Sequence, residues 1–194
     1  MSSGDLKRAK RDVRRRVLAL RDAMDADDRA RAAADVTRRV LGLPEVEAAS
    51  TVLAFSSFGS ELPMLPLIEA LVARGMRVGL PVITGDEIVA RAWRPGEPTT
   101  TTSFGAEEPA GGAPIDPVSI DVIVTPAVAV DRAGRRVGYG GGFYDRFLPR
   151  TRAGAARVAV VLAVQLVDDD LPAGSFDLPV DVIVTPDEVI RCER

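Results

Sequence analysis

The stretch Gly134-Arg-Arg-Val-Gly-Tyr-Gly-Gly-Gly-Phe-Tyr-Asp-Arg-Phe-Leu148 places Gly138, Gly140, Gly141 and Gly142 within five residues, with arginines before them and an acid after them. Glycine lacks Cβ and reaches positive φ, so such a run can curl its backbone and bring N–H groups close to an anion. A nucleotide phosphate is the anion such a cradle suits. Arg135 and Arg136 upstream and Asp145 downstream strengthen that reading, because a phosphate and its metal ion need both signs of charge nearby. The alternative is a plain tight turn between a strand and a helix. Phe143 to Leu148 reads as the opening turns of a helix, which would set a helix N-terminus against the bound charge. The run is not a Walker A loop, since it lacks Gly-Lys followed by Ser or Thr, and its third glycine is misplaced for a dinucleotide fingerprint.

What the chain lacks narrows the chemistry further. It has no histidine and one cysteine, Cys192. A Ser-His-Asp or Cys-His nucleophile, a His-ligated metal and an internal disulfide are therefore excluded. The remaining tools are carboxylates, Lys and Arg charges, hydroxyls, backbone dipoles and a hard metal held by oxygens.

The elements that must position these groups fit one domain spanning residues 1–194, with 46% hydrophobic and 27% charged residues. A net charge of −3 argues against nucleic acid as a partner, although Lys7, Arg8, Lys10, Arg11, Arg14, Arg15 and Arg16 fall within ten residues. There is no apolar run of about 18 residues and the N-terminus is charged, so the expectation is a cytoplasmic, monomeric protein without a membrane partner. Leu6, Val13, Val17, Leu20 and Met24 recur at mostly helical steps and predict a helix from residue 5 to about 24. Asp25 reads as the N-cap of a second helix, stopped by Gly42 and Pro44. Short apolar runs then alternate with helical segments: a strand at Thr51–Phe55, a helix at Leu65–Arg74, and strands at Met76–Val82 and Ile88–Trp93. Pro95 to Pro117 reads as a long ordered loop, and Arg157 to Val164 as a strand. The hexapeptide Asp-Val-Ile-Val-Thr-Pro occurs at residues 121–126 and 181–186. It suits a strand buried on both faces, and a duplicated supersecondary unit is the other reading. The whole predicts an α/β fold: a single domain with a mostly parallel sheet flanked by helices and an N-terminal helical pair.

Arg136-Val-Gly-Tyr-Gly-Gly-Gly-Phe-Tyr-Asp-Arg146 resembles the signature of the 5-formyltetrahydrofolate cyclo-ligases, also called methenyltetrahydrofolate synthetases. Further landmarks follow in order: Lys10 and Arg14, Arg21 with Asp22, Glu61, Phe104-Gly, Glu108-Pro109, Asp121 to Val130, Gln165, and Asp177 with Asp181. The resemblance implies an ATP- and Mg²⁺-dependent enzyme that closes 5-formyltetrahydrofolate to 5,10-methenyltetrahydrofolate, releasing ADP and phosphate. A nucleotide- or folate-binding module that has lost catalysis is the alternative.

The resemblance also implies residue roles. Lys10 and Arg14, on one helical face by their i,i+4 spacing, would meet ATP phosphates; without the resemblance they read as part of a solvated basic face. Arg136, Val137, Gly138, Tyr139, Gly140, Gly141, Gly142, Phe143 and Tyr144 would wrap the nucleotide, with Arg136, Tyr144 and Asp145 at the reaction. Asp145 and Asp177 would hold Mg²⁺. Glu61 would accept from the adjacent N–H donors of the pterin, with Ser56, Phe104 and Tyr144 lining the folate pocket and Trp93 in the core. The chain departs from the family pattern at Phe143, where a tyrosine is usual, at Gly141, where some members have lysine, and at Phe176, where a histidine often precedes the acid. Pro63 and Met64 replace the usual Asp and Thr after Glu61.

Overall fold

A computed structural model describes residues 2–193. The chain runs α1 (Ser3–Asp22), α2 (Ala26–Leu41), α3 (Pro44–Glu47), β1 (Thr51–Leu53), α4 (Leu65–Ala73), β2 (Arg77–Thr84), β3 (Glu87–Ala92), β4 (Thr99–Thr101) and β5 (Glu107–Pro109). It continues with β6 (Val122–Thr125), β7 (Ala129–Asp131), β8 (Arg136–Val137), α5 (Phe143–Phe147), β9 (Ala156–Val160), β10 (Leu166–Val167), β11 (Val182–Val184) and β12 (Val189–Arg191). The main sheet has seven strands in the order β12-β11-β9-β6-β1-β2-β3. All pairings from β11 to β2 are parallel, and only the edge strands β12 and β3 are antiparallel. The mostly parallel α/β sheet and the N-terminal helical pair are those expected from the sequence. Among the described residues, no helix is long and apolar enough to cross a membrane.

Successive strand residues face opposite sides of a sheet, and the repeated Val-Ile-Val makes both faces apolar. Val122, Val124, Val182 and Val184 pack with Val36, Val40, Leu67 and Leu71 of α2 and α4. Ile123 packs with Phe147 and Leu148 on the α5 side, and Ile183 joins Val130 and Val180 on that same face. The aspartate that opens each copy also has the same job. Asp121 Oδ2 accepts from Thr51 N at 2.9 Å while its own N–H donates to Thr51 O. Asp181 Oδ2 accepts from Arg157 N at 2.9 Å, and the Asp181 backbone N–H donates to Arg157 O in return. One physical task, starting a doubly buried parallel strand against its neighbour, accounts for both copies.

Two local readings need correction. Pro44 does not merely end α2: its fixed φ suits the first turn of α3. Residues 95–117 are not a plain loop, because β4 and β5 pair antiparallel there, and Thr99 Oγ1 and Thr101 Oγ1 both donate to the Glu107 carboxylate at 2.5 Å. Phe104 sits in the turn of that hairpin.

Candidate active site

Helix α1 organises the site through residues 10, 14, 17 and 21, whose steps of four, three and four share one face. Val17 is buried against Val128, Val137 and Leu171 and fixes that face on the body. The three charged residues then each hold a different loop. Lys10 Nζ pairs with Asp177 Oδ2 in the segment before β11. Arg14 Nε donates to Gly138 O at 2.6 Å. Arg21, almost fully buried, donates from Nε to Ser60 Oγ at 2.9 Å and from Nη1 to Tyr139 Oη at 2.7 Å.

The glycine segment between β8 and α5 is shaped by two of its four glycines. Gly140 has φ +111° and Gly142, the N-cap of α5, has φ +68°; neither Gly138 nor Gly141 has a positive φ. A Cβ on Gly141 would come within 2.5 Å of the Phe143 ring, and one on Gly140 would lie 3.5 Å from the Arg14 guanidinium. Gly140 is beyond the left-handed region that other residues visit, so Gly140→Ala is expected to cost about 2 kcal/mol and to lower Tm by roughly 4–8 °C. Gly138→Ala, whose Cβ would meet Arg136 Nη1 at an ordinary contact distance of 3.7 Å, should shift Tm by less than about 2 °C; equal effects in thermal unfolding would discount the backbone argument. Helix α5 spans only five residues before a 3-10 turn at Leu148–Arg150, so backbone N–H groups, rather than a long helix dipole, are what this end offers an anion.

On the α5 side, Arg136 Nη2 donates to Asp145 Oδ1 at 2.7 Å, and Leu178 N reaches the same oxygen at 3.4 Å. Asp145 thus meets the backbone next to Asp177, and the Arg136 guanidinium interacts with both carboxylates. Burial works against the charge on Arg136, and Asp145 offsets it. Burial would raise the Asp177 carboxyl, but the Gly174 N–H at 2.5 Å and the Lys10 ammonium bring it below the ordinary aspartate range. The Arg136 guanidinium lies 5.8 Å from the centre of the Tyr144 ring. Arg136 Nε and Tyr144 Oη are both buried without a protein hydrogen-bond partner, and burial pushes the Tyr144 hydroxyl up. Orphaned buried donors of this kind are what an anion would satisfy.

Glu61 lies across the glycine segment, in the loop after β1. Its Oε1 accepts from Tyr139 Oη at 2.8 Å and its Oε2 from Phe58 N at 3.1 Å. Burial pushes its carboxyl above the ordinary glutamate range, against the pull of Tyr139, Phe58 N–H and the Arg21 charge. The rings of Phe104, Phe58 and Tyr139 form a row, with centroids 5.6 and 5.0 Å apart. Phe104 is half exposed and Ser56 half-buried beyond β1.

The structure therefore brings Lys10, Arg14, Glu61, Arg136, Tyr139, Tyr144, Asp145 and Asp177 around one segment. Val137 has its side chain in the core, and its carbonyl accepts from Val128 N, because residues 136–137 form β8 and must pair with β7 before the loop begins. Met64 is likewise core, while Phe176 is 87% exposed beside Asp177. Trp93 packs against the main core as expected. Arg21 and Phe58 complete the arrangement without having been singled out as site residues, although Arg21 is seven residues from Arg14 and so on its face.

The chain matches the model of the 5-formyltetrahydrofolate cyclo-ligase family over residues 6–186. It is 37% identical over 152 residues to the 5-formyltetrahydrofolate cyclo-ligase of Escherichia coli strain K12, covering 75% of this chain and 83% of that one. The Mycolicibacterium smegmatis enzyme of the same name is 38% identical over 143 residues, covering 70% and 73%. Among solved structures, 5,10-methenyltetrahydrofolate synthetase of Aquifex aeolicus superposes with a TM-score of 0.83 and 31% identity, covering 95% of this chain and 93% of that one. The Mycoplasma pneumoniae synthetase, at 19% identity and a TM-score of 0.75, covers 91% and 98% and shares the fold. A family match across nearly the whole length, on the fold its relatives adopt, makes this chain a ligase of the 5-formyltetrahydrofolate cyclo-ligase family.

Proposed function

We propose that the protein uses ATP to close 5-formyltetrahydrofolate to 5,10-methenyltetrahydrofolate, releasing ADP and phosphate. The formamide oxygen is a poor leaving group and its carbon a poor electrophile. Transfer of the γ-phosphoryl group to that oxygen, breaking its bond to ADP, cures both. The lone pair of N10 then attacks the formyl carbon, and phosphate departs with the C–O electrons as the N10 proton is lost. Such a reaction asks a protein for positioning and charge neutralisation, and a site without histidine can supply both.

The observation that carries this reading is that a single face of α1 ties the glycine segment, the acid before β11 and the loop holding Glu61 together, through Arg14, Lys10 and Arg21. Two ligands that must exchange a phosphoryl group need such adjacent sites. In this reading the backbone of Gly138 to Gly142, with Lys10, Arg14 and Arg136, binds the triphosphate, and Phe143 and Tyr144 close its lower side. Glu61 accepts from the pterin, with Ser56, Phe104 and Tyr144 along the folate. Tyr144 presents its buried hydroxyl, and Arg136 its unpartnered Nε, to the oxygens that gain charge.

The donor set also fits Mg²⁺. Among the described residues no group of three or more His, Cys, Asp or Glu side chains is placed to hold a metal ion; an ion here would be completed by phosphate oxygens and water. Asp145 and Asp177 each use one oxygen in the contacts above, Oδ1 and Oδ2 respectively, leaving the second of each to hold it. When bound, Mg²⁺ would neutralise charge on the phosphates. The test is to mix purified protein with 5-formyltetrahydrofolate, ATP and Mg²⁺ and follow methenyl absorbance. Product that requires both ATP and Mg²⁺ is expected; its absence, with the fold and nucleotide binding intact, would sink the proposal.

A further inference from the structure

The third residue of the segment Val137-Gly-Tyr-Gly is the one between Gly138 and Gly140 that carries a side chain. Tyr139 reaches out of the glycine segment to Glu61 in the loop after β1. Its hydroxyl makes two hydrogen bonds of opposite sense: it accepts from Arg21 Nη1 at 2.7 Å and donates to Glu61 Oε1 at 2.8 Å. Arg21 is 3% exposed and Glu61 7% exposed. The two form no direct ion pair, so the phenol is the hydrogen-bonded link between a buried cation and a buried anion. Its ring lies 5.0 Å from that of Phe58, whose backbone N–H holds the other oxygen of Glu61.

We propose that the Tyr139 side chain is a positioning group for the folate rather than a nucleotide contact: it fixes the Glu61 carboxylate in the ionised form that accepts the pterin N–H groups and relays the charge of Arg21 to it. This rests on the assignment of Glu61 to the folate. A buried carboxylate has about four lone-pair positions. Tyr139 and Phe58 occupy one on each oxygen, leaving the others for a ligand with two adjacent donors. A protonated Glu61 would offer a hydrogen where the ligand also has one. Ionisation is thus the condition for binding, and burial opposes it.

The charged and titratable groups around Glu61 are few: Arg21 from α1, with Asp22 behind it on Ser60 Oγ, Tyr139 from the glycine segment, and Tyr144 from α5. Of these, Tyr139 alone donates to the carboxylate from a side chain. Its removal raises the Glu61 carboxyl further, and the acid side of folate affinity moves to higher pH. The same link joins the glycine segment to Glu61, so the loop and the folate carboxylate cannot shift independently.

The test is Tyr139→Phe, which keeps the ring on Phe58 and removes only the hydroxyl. Equilibrium binding of 5-formyltetrahydrofolate, without ATP, is measured for both proteins across a pH series from mildly acid to mildly basic, since burial raises the Glu61 carboxyl. The expected result is a Kd about tenfold weaker at neutral pH, with the loss growing toward acid, and an unchanged Kd for a non-hydrolysable ATP analogue. Equal folate affinity at every pH overturns the proposal. So does a weakened nucleotide Kd with the folate Kd intact, which returns Tyr139 to the nucleotide. Failure of the wild-type protein itself to bind the folate would instead remove the assignment of Glu61 on which the proposal stands.

Discussion

Asp145→Asn is expected to lower turnover by about 10²-fold and to raise the Mg²⁺ concentration needed for half-maximal rate by about tenfold or more, with Tm lowered by only a few degrees. Asparagine keeps an oxygen where Arg136 Nη2 and Leu178 N converge, at 2.7 and 3.4 Å. The buried guanidinium therefore stays hydrogen-bonded. What is lost is the charge and the second carboxylate oxygen, the parts assigned to the ion. Asp145→Ala is the poorer experiment. The Arg136 side chain is 5% exposed and its Nε already lacks a protein partner, so removing Asp145 would leave a buried charge unpaired at a cost of about 3 kcal/mol. A Tm fall of roughly 6–12 °C would follow, and lost activity would no longer identify a ligand. If Asp145→Asn keeps its rate and its Mg²⁺ dependence, Asp145 leaves the metal site and its role is to hold Arg136.

The difference between those two variants marks the boundary of what the sequence shows. Spacing and local chemistry revealed the elements: Asp25 caps α2 by accepting from Asp28 N at 2.8 Å, and Val-Ile-Val announces strands buried on both faces. The hairpin of β4 and β5 was hidden because its threonine run lies among Pro and Gly, and composition outweighed β-branching. At the site, the spacing of Lys10 and Arg14 gave a shared face, yet not what that face meets. Lys10 meets Asp177, 167 residues away, and Arg14 a backbone carbonyl 124 residues away. Pairings of that separation are made by the sheet order, which brings the segment before β11 and the loop before α5 beside α1. Tyr139 shows the same limit. A residue between glycines reads as part of the loop's own ligand contacts, while its side chain is directed by Arg21 and Glu61, neither of them nearby in sequence.

Glu61→Gln is expected to reduce kcat/KM for the folate by about 10³-fold with little change in KM for ATP. A carboxylate presents acceptors on both oxygens, and two adjacent pterin donors require both; glutamine turns one of them into an N–H. Buried and unable to reorient toward water, that N–H would face either the ligand's donor or Phe58 N, which already uses Oε2 at 3.1 Å. A mismatch of this kind inside a pocket costs far more than an absent contact at a surface. The same substitution separates function from stability. Burial raises the Glu61 carboxyl in the folded protein, so its contribution to stability is full below the unfolded value near 4.3 and is lost as pH rises through the folded one. Once ionised, the side chain is a cost to the fold, borne because the ligand needs it. The Tm of Glu61→Gln relative to the wild type should thus move in the variant's favour as pH rises from about 4 through the raised folded value, while folate turnover collapses. A Tm difference independent of pH would mean that Glu61 does not ionise in this range, and retained turnover would take the pterin away from it.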